Sequence, residues 1–389
     1  MTRQTGPKRR GQEAMYRVTR ALLCPYFTRR FNLRTDSEPL MKGPYMVISN
    51  HVTELDFFLV GRMFKTPMGF VISQTMVKHP IARYFLTRWY ACIVKRKGAA
   101  DASTALHIMR RLKAGRNVCL FAEGNTTFDG RTGFIPKATG SLLRSVKAGL
   151  VTCRIEGGYF SLPRWGKGIR RGKTRCVLVN TYPAEALSNM SADAINELLA
   201  QDLYTDAYLE QEKDPVAFIG QNTAKGMEHA LYLCPSCKRQ GTLVGEGNQV
   251  KCKGCGETTL YTPHGTFQDG KPFLGIREWA DWQKEQLRQA LLSGDEQIIL
   301  RDEKQTLLRL EEDDSLSPTA EGDVSMSGKA LHIGCMSFAV GEITGLEIYR
   351  KNTLLFTLKD GRHFQLSQKP RFNALKYRDL YTLIKRQEG

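Results

Sequence analysis

The sequence predicts an α/β fold with a mostly parallel sheet covered by helices, followed by a small cysteine-rich ribbon and a β-rich module with a terminal helix. Three observations lead to this prediction. Between residues 45 and 209, short apolar runs alternate with amphipathic stretches. Two C-x-x-C pairs follow, and short alternating runs then continue to a last helical stretch. A chain of 389 residues is long enough for two or three domains.

The charge balance limits the classes of partner. Lys and Arg total 57 against 39 Asp and Glu, a formal net charge of +18, which attracts nucleic acid, anionic lipid headgroups or phosphorylated small molecules. No apolar run approaches the ~18 residues of a transmembrane helix. The polar N-terminus lacks the apolar core of a signal peptide, so we expect a cytoplasmic protein. The ten cysteines fit a reducing compartment, because four form C-x-x-C pairs and six are scattered.

The N-terminal segment is basic and partly amphipathic. Residues 13–24 predict a helix with Met15, Val18 and Leu22 on one face, and Pro25 is expected to end or kink it. Residues 1–34 contain nine Lys or Arg and one acid. A helix of this kind can lie in a membrane interface. A packing helix with a solvated basic side explains the pattern equally well.

An alternation of strands and helices follows. The strands are predicted at 45–49, 69–72, 90–94, 117–122, 150–155 and 176–180, and the helices at 56–64, 80–86, 101–113, 140–148 and 192–209. The composition changes near Leu233. We therefore predict four segments, with bounds at residues 1–230, 231–263, 264–296 and 297–389.

The third and fourth segments contain their own elements. We predict a helix at 277–292 and a loop or linker at 311–328, where acidic residues, Ser, Gly and Pro are frequent. Strands are predicted at 330–333, 347–349, 353–358 and 363–366, with Asp360-Gly361 as a hairpin turn, and a helix at 372–384. Strands followed by one helix loosely resemble a pleckstrin-homology-like fold, which implies lipid or protein docking by analogy only.

His51 and Asp56 are the candidate catalytic pair. His51 follows a predicted buried strand, and Asp56 begins the next helix. Histidine titrates near neutrality and suits a general base, while a carboxylate on its far ring nitrogen fixes the tautomer. A structural interpretation is also open, because Thr53-x-x-Asp56 has the spacing of a capping box.

Four motifs in order resemble the glycerolipid acyltransferases, the family of 1-acylglycerol-3-phosphate acyltransferases. Asn50-His51-Val-Thr-Glu-Leu-Asp56 resembles the N-H-x-x-x-x-D block of that family. The run from Ile93 to Arg96 resembles the second block, the run from Phe121 to Thr126 the third, and the run from Val151 to Ile155 the fourth. The resemblance covers roughly residues 15–230.

The resemblance implies an activity and a set of site residues. A fatty acyl group would pass directly from acyl-CoA or acyl-carrier protein to a hydroxyl of a lysophospholipid-type acceptor, in phospholipid biosynthesis. His51 would act as the base, Asp56 would orient it, and no acyl-enzyme would form. The expected location is peripheral, on the cytoplasmic face of an anionic membrane. The residues implied in substrate binding are Arg96, Glu123, Gly124, Asn125 and Thr126.

Two departures from the family pattern leave the acceptor open. Many members that accept lysophosphatidic acid carry Arg soon after the third block, whereas here the nearest cation after Thr127 is Arg131. Thr152 stands where the fourth block has a proline. Another lysolipid, a glycolipid or an amino-lipid hydroxyl therefore remains an alternative acceptor.

The two C-x-x-C pairs predict a structural zinc site. Fourteen residues separate the pairs, and four thiolates satisfy tetrahedral Zn²⁺ with no position left for substrate. The ligands are Cys234, Cys237, Cys252 and Cys255. His229 and His264 are interpreted as bystanders.

A zinc-ribbon protein that binds nucleic acid is the competing interpretation. The ribbon has few cations, namely Lys238, Arg239, Lys251 and Lys253, and aromatic residues do not alternate with them as a base-stacking surface needs. We therefore expect no nucleic acid. The intact His51 and Asp56 also argue against a catalytically dead lipid-binding relative.

Overall fold

The structure is a computed structural model that describes residues 6–41, 43–77, 79–95, 102–294, 297–311, 315–366 and 372–387. The chain divides into two compact units. The first unit runs to Arg164 and resumes over Gly168–Gly220, and the second comprises Trp165–Lys167 and the chain from Gln221 onward. The assignment of separate roles to the four sequence segments stays a prediction.

The first unit contains seven strands and nine α-helices among its described residues. In chain order they are α1 Gly6–Phe31, β1 Leu33–Thr35, β2 Tyr45–Ser49, α2 Asp56–Met63, β3 Met68–Ser73, α3 Pro80–Tyr84, β4 Ile93–Lys95, α4 Ala102–Lys113, β5 Asn117–Phe121, α5 Ala138–Val146, β6 Gly149–Glu156, α6 Gly158–Ser161, β7 Thr174–Tyr182, α7 Ala184–Ser188, α8 Ala192–Leu203 and α9 Ala207–Lys213.

These seven strands form one sheet in the order β1-β7-β6-β2-β5-β3-β4. Every neighbouring pair is parallel except β6 and β7, which are antiparallel. The predicted class, α/β with a mostly parallel sheet, is confirmed.

The buried strand β2 separates two hydrophobic cores. Tyr45 and Val47 belong to the core that also contains side chains of α1 and α2. Met46 and Ile48 belong to the core with side chains of α4, α5 and α8. Successive side chains of a strand point to opposite faces, so a strand apolar at every position is covered on both sides.

Helix α1 continues through Pro25, so of the two predicted effects of Pro25, to end or to kink the helix, the first is wrong. Proline removes one main-chain donor, but packing of the following turns offsets the loss. Phe31 is fully buried, and the ring of Phe27 stacks on Phe58 with centroids 4.2 Å apart. The apolar residues after the proline therefore hold the last turns of the helix in place.

The second unit contains a three-stranded ribbon, one long helix, a seven-stranded antiparallel sheet and a terminal helix. The elements are β8 Leu243–Glu246, β9 Gln249–Cys252, β10 Thr258–Leu260, α10 Ile276–Leu292, β11 Leu300–Leu310, β12 Leu316–Met326, β13 Ala330–Ile333, β14 Met336–Ala339, β15 Ile343–Tyr349, β16 Thr353–Leu358, β17 His363–Leu366 and α11 Ala374–Gln387. The sheet orders are β10-β9-β8 and β14-β13-β12-β11-β17-β16-β15. The predicted β-rich module with a terminal helix is confirmed.

The predicted linker at 311–328 is wrong, because most of it forms β12, which pairs with β11. Its turn-forming residues have positions that a strand tolerates. Pro318 lies beyond the part of β12 that pairs with β13, and a strand edge accepts proline. At Gly322, with φ 158°, a Cβ would come within 2.5 Å of the Gly334 Cα, so the close approach of the two backbones requires glycine.

Among the described residues, no helix combines the length and apolar character needed to cross a membrane.

Candidate active site

The candidate site lies at the carboxyl edge of the parallel sheet of the first unit. Ser49, the last residue of β2, is in register with Phe121 of β5 on one side and Cys153 of β6 on the other. Strands β2 and β5 therefore end side by side, whereas β6 continues in the sheet to Glu156. This edge is where open α/β sheets usually bind ligands.

Asn50 fixes the main chain that leads to His51. Its side-chain Nδ2 donates to the Ile155 carbonyl (3.0 Å), and its Oδ1 accepts the Ile155 N–H (2.7 Å). Nδ2 also lies 3.2 Å from the Thr205 hydroxyl. The side chain of Asn50 is fully buried, so it ties the end of β2 to β6. The sequence identified Asn50 only as part of a motif.

His51 and Asp56 are in direct contact. His51 Nδ1 lies 2.8 Å from Asp56 Oδ2, and the imidazole stacks on the Phe121 ring with centroids 4.6 Å apart. The His51 side chain keeps 21% of its surface exposed, whereas Asp56 is completely buried. An ionised carboxylate only accepts hydrogen bonds, so this contact favours the neutral tautomer of His51 with the proton on Nδ1 and the lone pair on Nε2.

The carboxylate of Asp56 also organises the turn before α2. Its Oδ2 accepts the Val52 N–H (2.7 Å), and its Oδ1 accepts the Thr53 N–H (3.0 Å) and the Thr53 hydroxyl (2.7 Å). Helix α2 begins at Asp56, and Leu55 is its N-cap without a side-chain cap bond. The Asp56 carboxylate therefore both orients His51 and stabilises the turn.

Glu123 binds two main-chain groups. The His51 N–H donates to Oε1 (2.7 Å), and the Gly133 N–H donates to Oε2 (2.5 Å). Burial raises the pKa of Glu123 to about 8, although the two N–H bonds oppose the rise. The role of Glu123 in acceptor binding, implied by the family motif, stays a prediction.

The segment after Glu123 runs beside His51. Gly124 has φ 69° with open space where a Cβ would stand, so its left-handed conformation favours glycine. Asn125 is partly buried and Thr126 is buried. The Thr127 N–H donates to the His51 carbonyl (3.3 Å). Both main-chain polar groups of His51 are thus bound to residues 123–127.

Two arginines contact this segment, and one of them was missed by sequence analysis. Arg164 is buried, donates from Nη1 to the Thr126 carbonyl (2.8 Å), and lies 4.5 Å from the centroid of the Phe128 ring. No motif marks Arg164, since the contact depends on the tertiary fold. Arg131 forms an ion pair with Asp129 (2.7 Å). Arg96, implied in phosphate binding, lies outside the described residues.

Thr152, which stands where the fourth block has a proline, lies inside β6. Its hydroxyl donates to Asp202 Oδ2 (2.7 Å) and accepts the Asn180 N–H (3.1 Å), next to a register shift between β6 and β7. The substitution therefore exchanges a proline for a buried hydrogen-bonding group. None of these partners is a predicted substrate-binding residue.

In the second unit, the four cysteines of the C-x-x-C pairs come together. Their sulfur atoms all lie within 4.8 Å of one another, with 3.8 Å between Cys234 and Cys255 and 3.7 Å between Cys237 and Cys252. Zn–S bonds of about 2.3 Å in a tetrahedron separate the sulfurs by about 3.8 Å. All four are free thiols, so the donor set and its spacing fit Zn²⁺.

Comparisons with known proteins relate the first unit to acyltransferases. A family model described as Acyltransferase matches residues 27–156, which include His51, Asp56 and Glu123. The 1-acyl-sn-glycerol-3-phosphate acyltransferase of Saccharomyces cerevisiae is 24% identical over 213 residues, 52% of this chain and 66% of that protein. The chain thus spans slightly less than two thirds of the yeast protein. The 1-acyl-sn-glycerophosphate (LPA) acyltransferase PlsC from Thermotoga maritima is similar with a TM-score of 0.42 and 13% identity, over 55% of this chain and 84% of that chain.

Proposed function

We propose that this chain, whose residues 27–156 match the Acyltransferase family model, transfers a fatty acyl group from a thioester to a lipid hydroxyl. The donor in this proposal is acyl-CoA or acyl-carrier protein, and the acceptor is a lysophospholipid-type molecule. The observation that carries the proposal is the contact of His51 Nδ1 with the buried Asp56 carboxylate, 2.8 Å apart, at the carboxyl edge of the sheet.

The proposed chemistry is a direct transfer with His51 as general base. Nε2 takes the proton of the acceptor hydroxyl while that oxygen attacks the thioester carbonyl carbon. The tetrahedral intermediate collapses with cleavage of the carbon–sulfur bond. The proton on His51 then passes to the departing thiolate, so the products are an ester and a free thiol. His51 returns to its starting state.

Asp56 supports this chemistry through its charge and through its hydrogen bond to His51 Nδ1. Its negative charge stabilises the imidazolium that forms when Nε2 is protonated, and its bond to Nδ1 fixes the tautomer. The bonds from Val52 and Thr53 hold the carboxylate in one orientation. A preorganised carboxylate of this kind does not need to reorient during the reaction.

The acceptor is proposed to lie along the segment after Glu123, against Gly124, Asn125 and Thr126, with Arg96 as a further contact. The absence of an arginine directly after this segment keeps glycolipid and amino-lipid acceptors as alternatives to a phosphorylated lysolipid. The acceptor is the part of the proposal that the assay below must identify.

We propose that the four cysteines hold one structural Zn²⁺. Four thiolates close the coordination shell, so the ion would offer no position for water or a substrate carbonyl. The three short strands β8–β10 are too small to bury a core of their own, and metal binding would therefore supply folding free energy to the ribbon.

We propose that α1 contacts an anionic membrane surface on the cytoplasmic side. Val18, Leu22 and Tyr26 are spaced four residues apart on one face of the helix and keep 52%, 70% and 58% of their surface exposed. The same helix carries Arg17 and Arg29, which would face anionic headgroups at the margin of the apolar face.

The experiment incubates purified protein with a pool of lysophospholipids, monoacylglycerols and lysoglycolipids, together with acyl-CoA or acyl-carrier protein of several chain lengths. Mass spectrometry then identifies the acylated products. The proposal expects at least one ester whose mass is the acceptor plus the acyl group. Hydrolysis of the donor with no acylated acceptor would contradict it.

A further inference from the structure

Both side-chain oxygens of Glu123 accept hydrogen bonds from main-chain N–H groups near His51. Its two oxygens take different donors, the His51 N–H at 2.7 Å and the Gly133 N–H at 2.5 Å. Both distances are at the short end for N–H···O bonds. Gly133 permits this approach, because a Cβ there would already lie 3.0 Å from Oε2.

The hydrogen bond to Glu123 is one of two that connect the main chain of His51 to the neighbouring segment. The Thr127 N–H holds the His51 carbonyl at 3.3 Å, while Glu123 holds the His51 N–H. Asp56 fixes the ring at Nδ1. The ring direction is thus set by one carboxylate and the position of the main chain by another.

These contacts leave Glu123 poorly suited to bind a phosphorylated acceptor. Among the described residues, Glu123 provides the acceptor for the His51 N–H and for the Gly133 N–H, and a bond to an acceptor hydroxyl would compete with one of these two groups. We propose that Glu123 is a positioning residue, which fixes His51 against the segment that ends at Gly133, rather than a group that binds the acceptor. This inference rests on the proposed acyl transfer.

The test is Glu123→Gln, which keeps the size of the side chain but replaces one acceptor oxygen by an NH2 donor. That donor must face either the His51 N–H or the Gly133 N–H, so one of the two bonds is lost. Small shifts of a catalytic group reduce turnover strongly. We expect kcat to fall by about tenfold, and in any case by more than threefold. The acceptor KM should stay within threefold of wild type.

The chain offers a matched control in Glu38. This partly buried carboxylate also accepts two main-chain N–H groups, from Lys65 (2.8 Å) and Thr66 (3.2 Å), and it receives the Tyr45 hydroxyl (3.0 Å). Tyr45 begins β2, so Glu38 lies at the amino end of the strand whose carboxyl end leads to His51. Glu38→Gln should lower the melting temperature with kcat within threefold of wild type.

A measurement without turnover accompanies the kinetics. Protein labelled with ¹⁵N-histidine gives the amide resonance of His51, assigned by its loss in His51→Ala. The proposal expects this resonance to move in Glu123→Gln and to stay in place in Glu38→Gln. If Glu123→Gln shows no cooperative thermal transition, Glu123→Asp takes its place, because the shorter carboxylate cannot span both N–H groups.

The kinetic assay uses oleoyl-CoA with 1-oleoyl-lysophosphatidic acid, or with whichever acceptor the wild-type protein esterifies. A rise of the acceptor KM by more than threefold, or a kcat within threefold of wild type, would overturn the positioning role. An unmoved His51 amide resonance would do the same. Wild-type protein that esterifies no acceptor would instead refute the proposed function, so the two failures are distinguishable.

Discussion

Replacing Asp56 by Asn separates the proposed catalytic role of this carboxylate from its structural role. Asp56 Oδ2 accepts hydrogen bonds from His51 Nδ1 and the Val52 N–H, and Asp56 Oδ1 accepts them from the N–H and the hydroxyl of Thr53. Asn supplies one acceptor oxygen in place of two, and it carries no charge. A hydrogen bond to a charged group contributes about 1.5–3 kcal/mol, so losing the carboxylate–imidazolium bond alone slows transfer by about 10- to 150-fold. A wrong histidine tautomer extends the loss to about 10⁴-fold.

The assay compares kcat and melting temperature in Asp56→Asn with those in Ser191→Ala. Ser191 is the N-cap of α8, where its hydroxyl accepts the Ala194 N–H at 3.0 Å. Loss of that cap costs about 1 kcal/mol of stability and should leave kcat unchanged. A destabilised Asp56→Asn variant with kcat within threefold of wild type would refute the catalytic role and leave Asp56 as a stabiliser of the turn.

Two further predictions concern the membrane and the metal. Leu22→Glu should weaken binding to anionic vesicles in a sedimentation assay, and added salt should weaken it further. Leu40→Glu, at a more exposed leucine outside α1, should have no effect. Equal binding by wild type and both variants would contradict the membrane role of α1. Elemental analysis should find one Zn²⁺ per chain. The double variant Cys234→Ser with Cys237→Ser should lose the zinc, unfold the ribbon locally and keep at least part of the acyl transfer activity. Complete loss of transfer in a variant whose first unit still resists protease would make the ribbon part of the active site.

Six of the seven strands of the first unit were predicted, because each contains a short apolar run bounded by turns, whereas the three-residue strand β1 was missed. Strand β2 was predicted at residues 45–49 and is found there, since a run buried on both faces has no polar interruption. The missed elements depend on partners distant in sequence. β12 is rich in turn-forming residues and is a strand only because β11 lies beside it.

The candidate site was predictable where local spacing places residues together, and not where the fold does. His51 and Asp56 are five residues apart, so one turn brings them into contact. The hydrogen-bonded residues Arg164 and Thr126 are 38 positions apart in the sequence, and Asn50 and Thr205 are 155 positions apart. Such contacts leave no pattern in a single sequence. The hydrogen bond that Glu123 accepts from the His51 N–H likewise depends on the register of β2 and β5.

The central claim is that His51 moves the proton of the acceptor hydroxyl. The most direct measurement compares wild type and His51→Ala in their initial rates of ester formation, with an isotope-labelled acyl donor and mass spectrometry of the product. We expect the wild-type ester to carry the label and the variant rate to fall by roughly 10³-fold or more, because a triad-type site without its base loses most of its rate. A folded His51→Ala variant that forms the labelled ester at a rate within tenfold of wild type would contradict the account.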